Sequence, residues 1–403
     1  MKILYVTGIT APILDILNGK YDDEITGAPA FFYPWRKLVE KGHQVDFIFL
    51  SNFNEDINIR VGWFDEKNIY ANIYDPASEQ SWYLRVFRRA KRFFKLLYYT
   101  NKAVTEHGYD FVYCKAYYEG LAGNLVANYR GVPCGMRSMG TTLYKDFQLY
   151  GPWITALKRP AEYLTFRLKK NFFLMTDDGT KGDIIHRGWA SDADYDFLFW
   201  KTGIEIKKIS DVDPTMPVPE HKYIFYAARI DDWKRHDRVL STLHKLHSSG
   251  CNLHVYFAGS IRSQQHFDWL GGIVEKYGLE DFVHFLGPIK QDDVKNLAYH
   301  AVANPLMYDH SNLGNVFFEI FSVGAIVVAL DDGSLDDYVS DGETGYIVTN
   351  EEEACRRIMK IAMGDDVSKI RSGAIECAKE KFMSIDERFD REVELIEGIV
   401  DQV

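Results

Sequence analysis

The chain has little of what marks several large protein classes. Its 403 residues include five cysteines, Cys114, Cys134, Cys251, Cys355 and Cys377, widely spaced and with no CxxC pair. An odd number at such spacing excludes a disulfide framework and the common zinc motifs, and reduced thiols fit a cytoplasmic protein. No apolar run approaches the roughly 20 residues that a membrane-spanning helix needs. The opening MKILYVTG is too short and too β-branched for a signal peptide and reads as a first strand. Positive charge is in deficit, with 47 Lys and Arg against 58 Asp and Glu and a net charge of -11. That balance argues against a general nucleic-acid binder. No G-x-G-x-x-G follows a candidate strand, which disfavours a nicotinamide dehydrogenase. No D-x-D pair stands at a strand end. The Asp pairs at 177–178, 231–232 and 331–332 read as turns and caps, and the cations described below make a metal or other cofactor unnecessary.

What the chain does have is apolar and aromatic mass, 46% and 15% of residues. Its length exceeds one ordinary core, so two domains are expected. Short apolar runs alternate with amphipathic helical segments. In the first half the candidate strands are 2–7, 44–50, 111–114, 134–139 and 172–176, and AFFYPWRKLVEKG (30–42) reads as a helix closed by Gly42. RVGWF and NIYANIY, between 52 and 80, suggest extra strands. In the second half the runs are 223–228, 254–259, 282–287, 303–308, 325–330 and 345–348. Buried parallel strands separated by crossover helices give this pattern. The expectation is an α/β protein of two doubly wound, Rossmann-like domains, 1–210 and 211–383, with DVDPTMPVPE (211–220) as linker. A final helical segment, 384–403, is expected to cross back to the first domain.

In doubly wound sheets ligands sit beyond the carboxyl ends of strands, at helix N-termini. Two stretches stand there. In YIFYAARIDDWKRHD (223–237), Arg229 follows a strand and Lys234 opens the next helix. Such a pair neutralises a diphosphate; the plainer reading makes both surface cations beside Asp231 and Asp232. In HSNLGNVFFEIFSVG (310–324), Ser311 or Asn312 can cap a helix whose first turn offers the amides of Gly314, Asn315 and Val316. Glu319 lies one turn further in. Either it pairs with a Lys or Arg elsewhere, or it accepts hydrogen bonds from ligand hydroxyls; the helix alone leaves both open.

Together these stretches resemble the retaining glycosyltransferases of the GT-B fold, family 4 in particular. ARIDDWKRHD is similar to that family's G-R-x(4)-K-G segment. SNLGNVFFEIFSVGAIVVALDDGSLDDYVSDGETGYIV is similar to its E-G-F-G block ending in D-G-x-T-G-x-L-V, and ITGAPAFFYPWRKLVEKGHQV (25–45) more loosely to its opening. The resemblance implies two domains facing across a cleft, the first for an acceptor and the second for a nucleotide sugar. It implies that Arg229 and Lys234 hold the donor diphosphate and act in catalysis, and that Glu319 binds the ribose. Ser311, Asn312, Leu313, Gly314, Asn315 and Val316 would meet phosphate and sugar, Pro288 and Ile289 would border the base, and Gly27 would approach the phosphates. Arg137, Gly140 and Lys115 are placed on the acceptor side.

The family's first acid is replaced by Ser311, its glycine by Asn312, its aromatic by Leu313, and a usual His by Met139. A catalytically silent sugar-nucleotide-binding module is therefore the alternative. His236 and His310 are read as turn residues. The acid-free basic segment 81–104, with Tyr83, Phe87, Ala90, Phe94 and Leu97 on one face, suggests either a core-packed helix or a contact with anionic lipid, which would place the protein at the inner face of a membrane. A lipid-linked or sugar acceptor, in cell-surface polysaccharide or glycolipid synthesis, follows only by analogy.

Overall fold

A computed structural model describes residues 1–9, 17, 29–51, 69–74 and 82–402. The chain divides into two compact units, Met1–Gly203 with Ile385–Val403, and Ile204–Ser384.

The first unit is built on a seven-stranded parallel sheet: β1 (Lys2–Gly8), β2 (Gln44–Ser51), β3 (Ile69–Tyr74), β4 (Phe111–Lys115), β5 (Cys134–Met139), β6 (Phe172–Asp177) and β7 (Asp196–Lys201). The order is β3-β2-β1-β4-β5-β6-β7, so the winding direction reverses between β1 and β4. The five-residue buried run FVYCK of β4 shows why these strands read as apolar runs: helices cover both faces. Helices α1 (Pro29–Glu40), α2 (Trp82–His107), α3 (Tyr117–Arg130), α4 (Tyr144–Lys158), α5 (Pro160–Arg167) and α6 (Gly182–Ala190) connect the strands. Gly42 closes α1 at φ 81°, with its amide on Val39 O and that of His43 on Leu38 O, the left-handed stop that glycine permits. NIYANIY supplies β3, whereas RVGWF lies outside the described residues. β7 is a strand that the apolar-run reading passes over. It is the sheet's last strand, and its DFLFWK side chains are half-exposed.

The second unit contains β8 (Tyr223–Ala227), β9 (His254–Ala258), β10 (Val283–Gly287), β11 (Asn304–Leu306), β12 (Val327–Leu330) and β13 (Tyr346–Val348). β10-β9-β8 and β11-β12-β13 are parallel triplets. A parallel bridge between Ile224 and Ala303, with Phe225 N donating to Ala303 O, joins β8 to β11. The combined order β10-β9-β8-β11-β12-β13 is the doubly wound pattern of a dinucleotide fold, with its switch point between β8 and β11. The helices are α7 (His236–Ser248), α8 (Gln264–Tyr277), α9 (Gln291–His300), α10 (Asn315–Ser322), α11 (Glu351–Ala362) and α12 (Ser368–Lys381). The proline-rich 211–220 stretch lies within this unit, not at its border. Asp293 accepts from Thr215 N at 2.6 Å, Met216 N at 2.8 Å and the Thr215 hydroxyl at 2.8 Å, while Lys207 pairs with Asp292 at 3.1 Å.

The last helix, α13 (Ile385–Val400), packs in the first unit. Its Glu392 is 1% exposed and receives Arg137 at 2.9 Å, Arg388 at 2.9 Å and the Tyr113 hydroxyl at 2.5 Å. Among the described residues no helix is long and apolar enough to cross a membrane.

Candidate functional site

The second unit's switch point collects the residues that the sequence singled out. Arg229 stands just beyond β8. Its backbone is gripped from β9: Ala228 N donates to Ala258 O at 2.8 Å, and Ile230 N to Ser260 O at 3.0 Å. Gly259 permits this approach. At φ 152° a Cβ there would lie 2.1 Å from Ala228 O, so any side chain would force the strands apart. The Arg229 guanidinium is half-exposed and pairs with Asp231 at 3.0 Å. Asp231 does double duty: it also accepts Trp233 N and caps the short 3-10 turn Asp232–Lys234.

Lys234 ends that turn. Its Nζ lies 3.6 Å from the centre of the Tyr308 ring, just past β11. Burial lowers its pKa to about 8, with the Arg229 charge pushing further down and Asp231 opposing. Lys234 is therefore mostly charged at neutral pH while sitting in a partly desolvated position. Two cations thus stand together in one electrostatic environment, one on a carboxylate and one on an aromatic face.

The β11–α10 loop is held from below. Asn312 is fully buried, and its amide donates to Leu330 O at 3.0 Å and Asp332 at 2.9 Å, while its carbonyl accepts Tyr308 N at 3.0 Å. Asn312 is thus a brace for the loop. Its side chain is spent on protein partners and caps nothing. Nor does Ser311 cap the helix: it accepts Leu313 N at 3.1 Å, and the N-cap of α10 is Gly314, at φ -111°. Leu313 is buried. The start of α10 is main chain with no side-chain cap, and first-turn amides such as that of Val316 find no acceptor within an α-helix. These amides and the helix dipole favour an anion.

α10 forms because Phe317, Phe318, Ile320 and Phe321 bury one broad face, with Phe317 and Phe321 one turn apart at 4.9 Å. Glu319 is the odd residue, partly buried. Its carboxylate accepts the Gln291 amide at 2.8 Å. Burial raises its pKa to about 7; the Gln291 hydrogen bond and the more distant Lys295 oppose this, and Glu205 adds to it. Among the described residues Glu319 makes no ion pair. The fully buried Lys295 pairs instead with Glu205 at 3.2 Å and Asp292 at 3.8 Å. Gln291, which the sequence reading passed over, opens α9 directly after the LGPI turn holding Pro288 and Ile289. Its place at a helix start after a strand was the signal available.

The remaining residues fall elsewhere. His236 is a core residue against Tyr226, and burial pushes it down to about 4, so it is neutral. His310 packs edge-on to Trp233. Gly27 lies outside the described residues. In the first unit Arg137 is fully buried on Glu392, so the acceptor-side placement is corrected: its charge serves the packing of α13. Lys115 is also buried, its pKa held well below the usual lysine range by burial and by Arg137. Gly140 sits so close to Asp178 that a Cβ would meet its carboxylate at 2.1 Å. Lys115 and Gly140 end β4 and follow β5, near the first sheet's own reversal point. The next residue, Ala116, has φ 72° and ψ 168°, a region that costs about 1–3 kcal/mol outside glycine and clusters at functional sites.

Residues 212–380 match the family described as Glycosyl transferases group 1. Among solved structures the chain resembles sucrose-phosphate synthase from Thermosynechococcus elongatus, with a TM-score of 0.74, 13% identity and 100% of both chains covered. It also resembles HepE of Anabaena, determined with UDP and glucose, with a TM-score of 0.66, 15% identity, and 99% and 100% coverage. The lipopolysaccharide outer core galactosyltransferase WaaB gives a TM-score of 0.62, 15% identity and 99% coverage of each chain. No curated protein sequence matches. The second unit is thus similar over nearly its whole length to the group 1 glycosyltransferases, and the chain as a whole has the GT-B fold of these structures.

Proposed function

We propose that the protein transfers a sugar from a nucleotide-sugar donor to an acceptor hydroxyl with retention of anomeric configuration. The observation that carries this reading is the pairing of Arg229 and Lys234 in one electrostatic environment at the switch point where α10 begins. When the bond from the anomeric carbon to the β-phosphate oxygen breaks, negative charge grows on that phosphate. Fixed cations and main-chain dipoles aimed there stabilise the departing group without reorganising. The acceptor oxygen attacks from the same face, and its proton passes to the departing phosphate oxygen. Two cations in place supply the charge that a divalent ion would otherwise bring, so turnover is expected to persist in chelator. Glu319 accepts the ribose hydroxyls, and its one hydrogen-bond partner among the described residues, the neutral Gln291 amide, leaves carboxylate lone pairs for them. That HepE was determined with UDP and with UDP-glucose supports a nucleotide-sugar donor. Incubation with a panel of nucleotide sugars and acceptors tests the reading. Release of nucleoside diphosphate that depends on Arg229 and Glu319 is expected, and release independent of both overturns the site. Binding without turnover across the panel selects the silent module, the reading that Ser311 and Met139 favour.

Glu319 makes a further prediction. A carboxyl raised from 4.5 to about 7 binds its proton more tightly in the folded state. Stability conferred by the neutral form is therefore lost as pH rises from about 4.5 through 7. Glu319→Gln should melt higher than the wild type at pH 8, equal it near pH 4, and bind nucleoside diphosphate at least about tenfold more weakly. A variant that is both less stable at pH 8 and unchanged in binding contradicts the assignment.

We further propose that the first unit touches anionic membrane, where a lipid-linked acceptor would be met. The core side of α2 is Leu96, Thr100, Ala103 and Val104, whereas Phe87 and Phe94 are 70% and 67% exposed beside Lys91 and Lys95. The core-packed reading of that apolar face thus fails at these two residues. On α4, Trp153 and Leu157 are 73% and 83% exposed. Basic helices that present large apolar side chains suit an anionic lipid surface. Wild-type protein should sediment with phosphatidylglycerol vesicles and Phe87→Ser/Phe94→Ser much less; equal sedimentation, or none, removes the idea.

A further inference from the structure

At the amino ends of β8, β9 and β10, the opposite end of the second sheet from Arg229 and Glu319, three histidines stand on neighbouring strands. His221 lies two residues before β8, His254 is the first residue of β9, and His284 is the second residue of β10. The strand register pairs His254 with Tyr223 and His284 with Tyr256, which brings all three imidazoles to one face. Each offers a ring nitrogen, and these nitrogens lie within 4.8 Å of one another. His254 Nδ1 and His284 Nε2 are 3.0 Å apart, and the His221 ring stacks on His254 with centres 3.8 Å apart. His221 is exposed and the other two half-buried, so the group is open to solvent on one side.

We propose that His221, His254 and His284 bind a divalent ion of the Zn2+ class, with an open fourth position for water. Neutral imidazole is the preferred ligand for such ions. Zn–N bonds of about 2.0–2.1 Å in a tetrahedral site need nitrogens about 3.3 Å apart; the His254–His284 pair is already there, and the exposed His221 has room to turn. The Tyr256 hydroxyl, 2.7 Å from His221 Nε2, orients that ring in the manner of the outer partners that fix metal-binding histidines. A bound ion would tie together the starts of three strands and so stabilise this unit by mass action. This site is independent of the proposed transferase chemistry.

The test is calorimetric titration of Zn2+ into untagged, chelator-stripped full-length protein. One strong site per chain is expected, with an upward shift of the melting temperature. Affinity should drop at least about tenfold in His254→Gln and in His284→Gln and in the solvent-exposed His221→Ala, which is not expected to unfold. It should be unchanged in His300→Gln, an exposed histidine on α9. Co2+ should give the intense visible absorption of a four-coordinate site in the wild type and not in His221→Ala. Absence of saturable binding, or equal binding in all four variants, overturns the proposal. Nucleoside diphosphate binding by His221→Ala should match the wild type, which separates failure here from failure of the donor site.

Discussion

Replacing Lys234 by alanine will lower kcat by about 10²–10³, the loss typical of removing one preorganised stabiliser of transition-state charge. The size follows from where the ammonium sits. It lies against the Tyr308 ring, half-sheltered from water and beside the Arg229–Asp231 pair, and in such surroundings a charge acts more strongly than at an open surface. The same position sets a pH signature. The cation is the useful form, and it is lost as pH rises through about 8. In the free enzyme kcat/KM should therefore fall on the alkaline side with an apparent pKa near that value. Lys234→Arg keeps its charge at every accessible pH and should move or abolish that limb while retaining part of the activity. Lys234→Ala within threefold of wild type, or an alkaline limb unchanged in Lys234→Arg, would show that the group does not act on the leaving phosphate.

The second large effect is on stability, and it concerns Glu392. Arg137 and Arg388 are 0% and 1% exposed, and Glu392 lies between them. Burial pushes the Glu392 carboxyl up, but Arg137 and Arg388 outweigh it and hold the group below the usual glutamate range. Two cations share one anion, and the rings of Phe389 and Trp200, 5.3 Å and 4.7 Å from the Arg137 and Arg388 guanidinium carbons, take part of the excess. Glu392→Leu leaves two facing guanidinium groups in the interior and should destabilise the first unit by about 3–5 kcal/mol. Arg137→Met leaves one cation with one anion and should cost clearly less, and Arg137→Met/Glu392→Gln should recover part of the larger loss. Urea unfolding of the three variants measures this order. Because the folded pKa is depressed, the stabilisation is complete above the ordinary glutamate range and is lost as pH falls through the folded value. Acid should therefore release α13 before the rest of the unit.

Much of the second unit was legible because its strands are parallel apolar runs, the central ones fully buried, and because two of its candidate residues lie just after a strand. Arg229 and Lys234 could be picked out that way, and Glu319 announced itself instead as a charge among phenylalanines. The partners were not legible. Gln291 meets Glu319, and Tyr308 lies under Lys234, only because β11 and α9 fold next to these positions; nothing in the local pattern pairs residues that far apart. Asn312, which departs from the family's glycine, turned out to be bonded to Leu330 and Asp332 across the sheet. Arg137 misled for the same reason. An arginine within a strand, near its carboxyl end, points equally to a ligand or to a buried acid, and the acid here arrives from a helix 255 residues on. β7 escaped because a half-exposed outer strand carries a weaker apolar signal than a central one.

The central claim is that the second unit's switch point grips a diphosphate with Arg229 and Lys234 and a ribose with Glu319. Equilibrium binding of a nucleoside and of its diphosphate to wild type, Arg229→Ala/Lys234→Ala and Glu319→Ala tests it most directly. The account predicts that the double variant loses the advantage of diphosphate over nucleoside, whereas Glu319→Ala weakens both ligands by a similar factor. Diphosphate binding that is indifferent to the two cations, or nucleoside binding indifferent to Glu319, would contradict it.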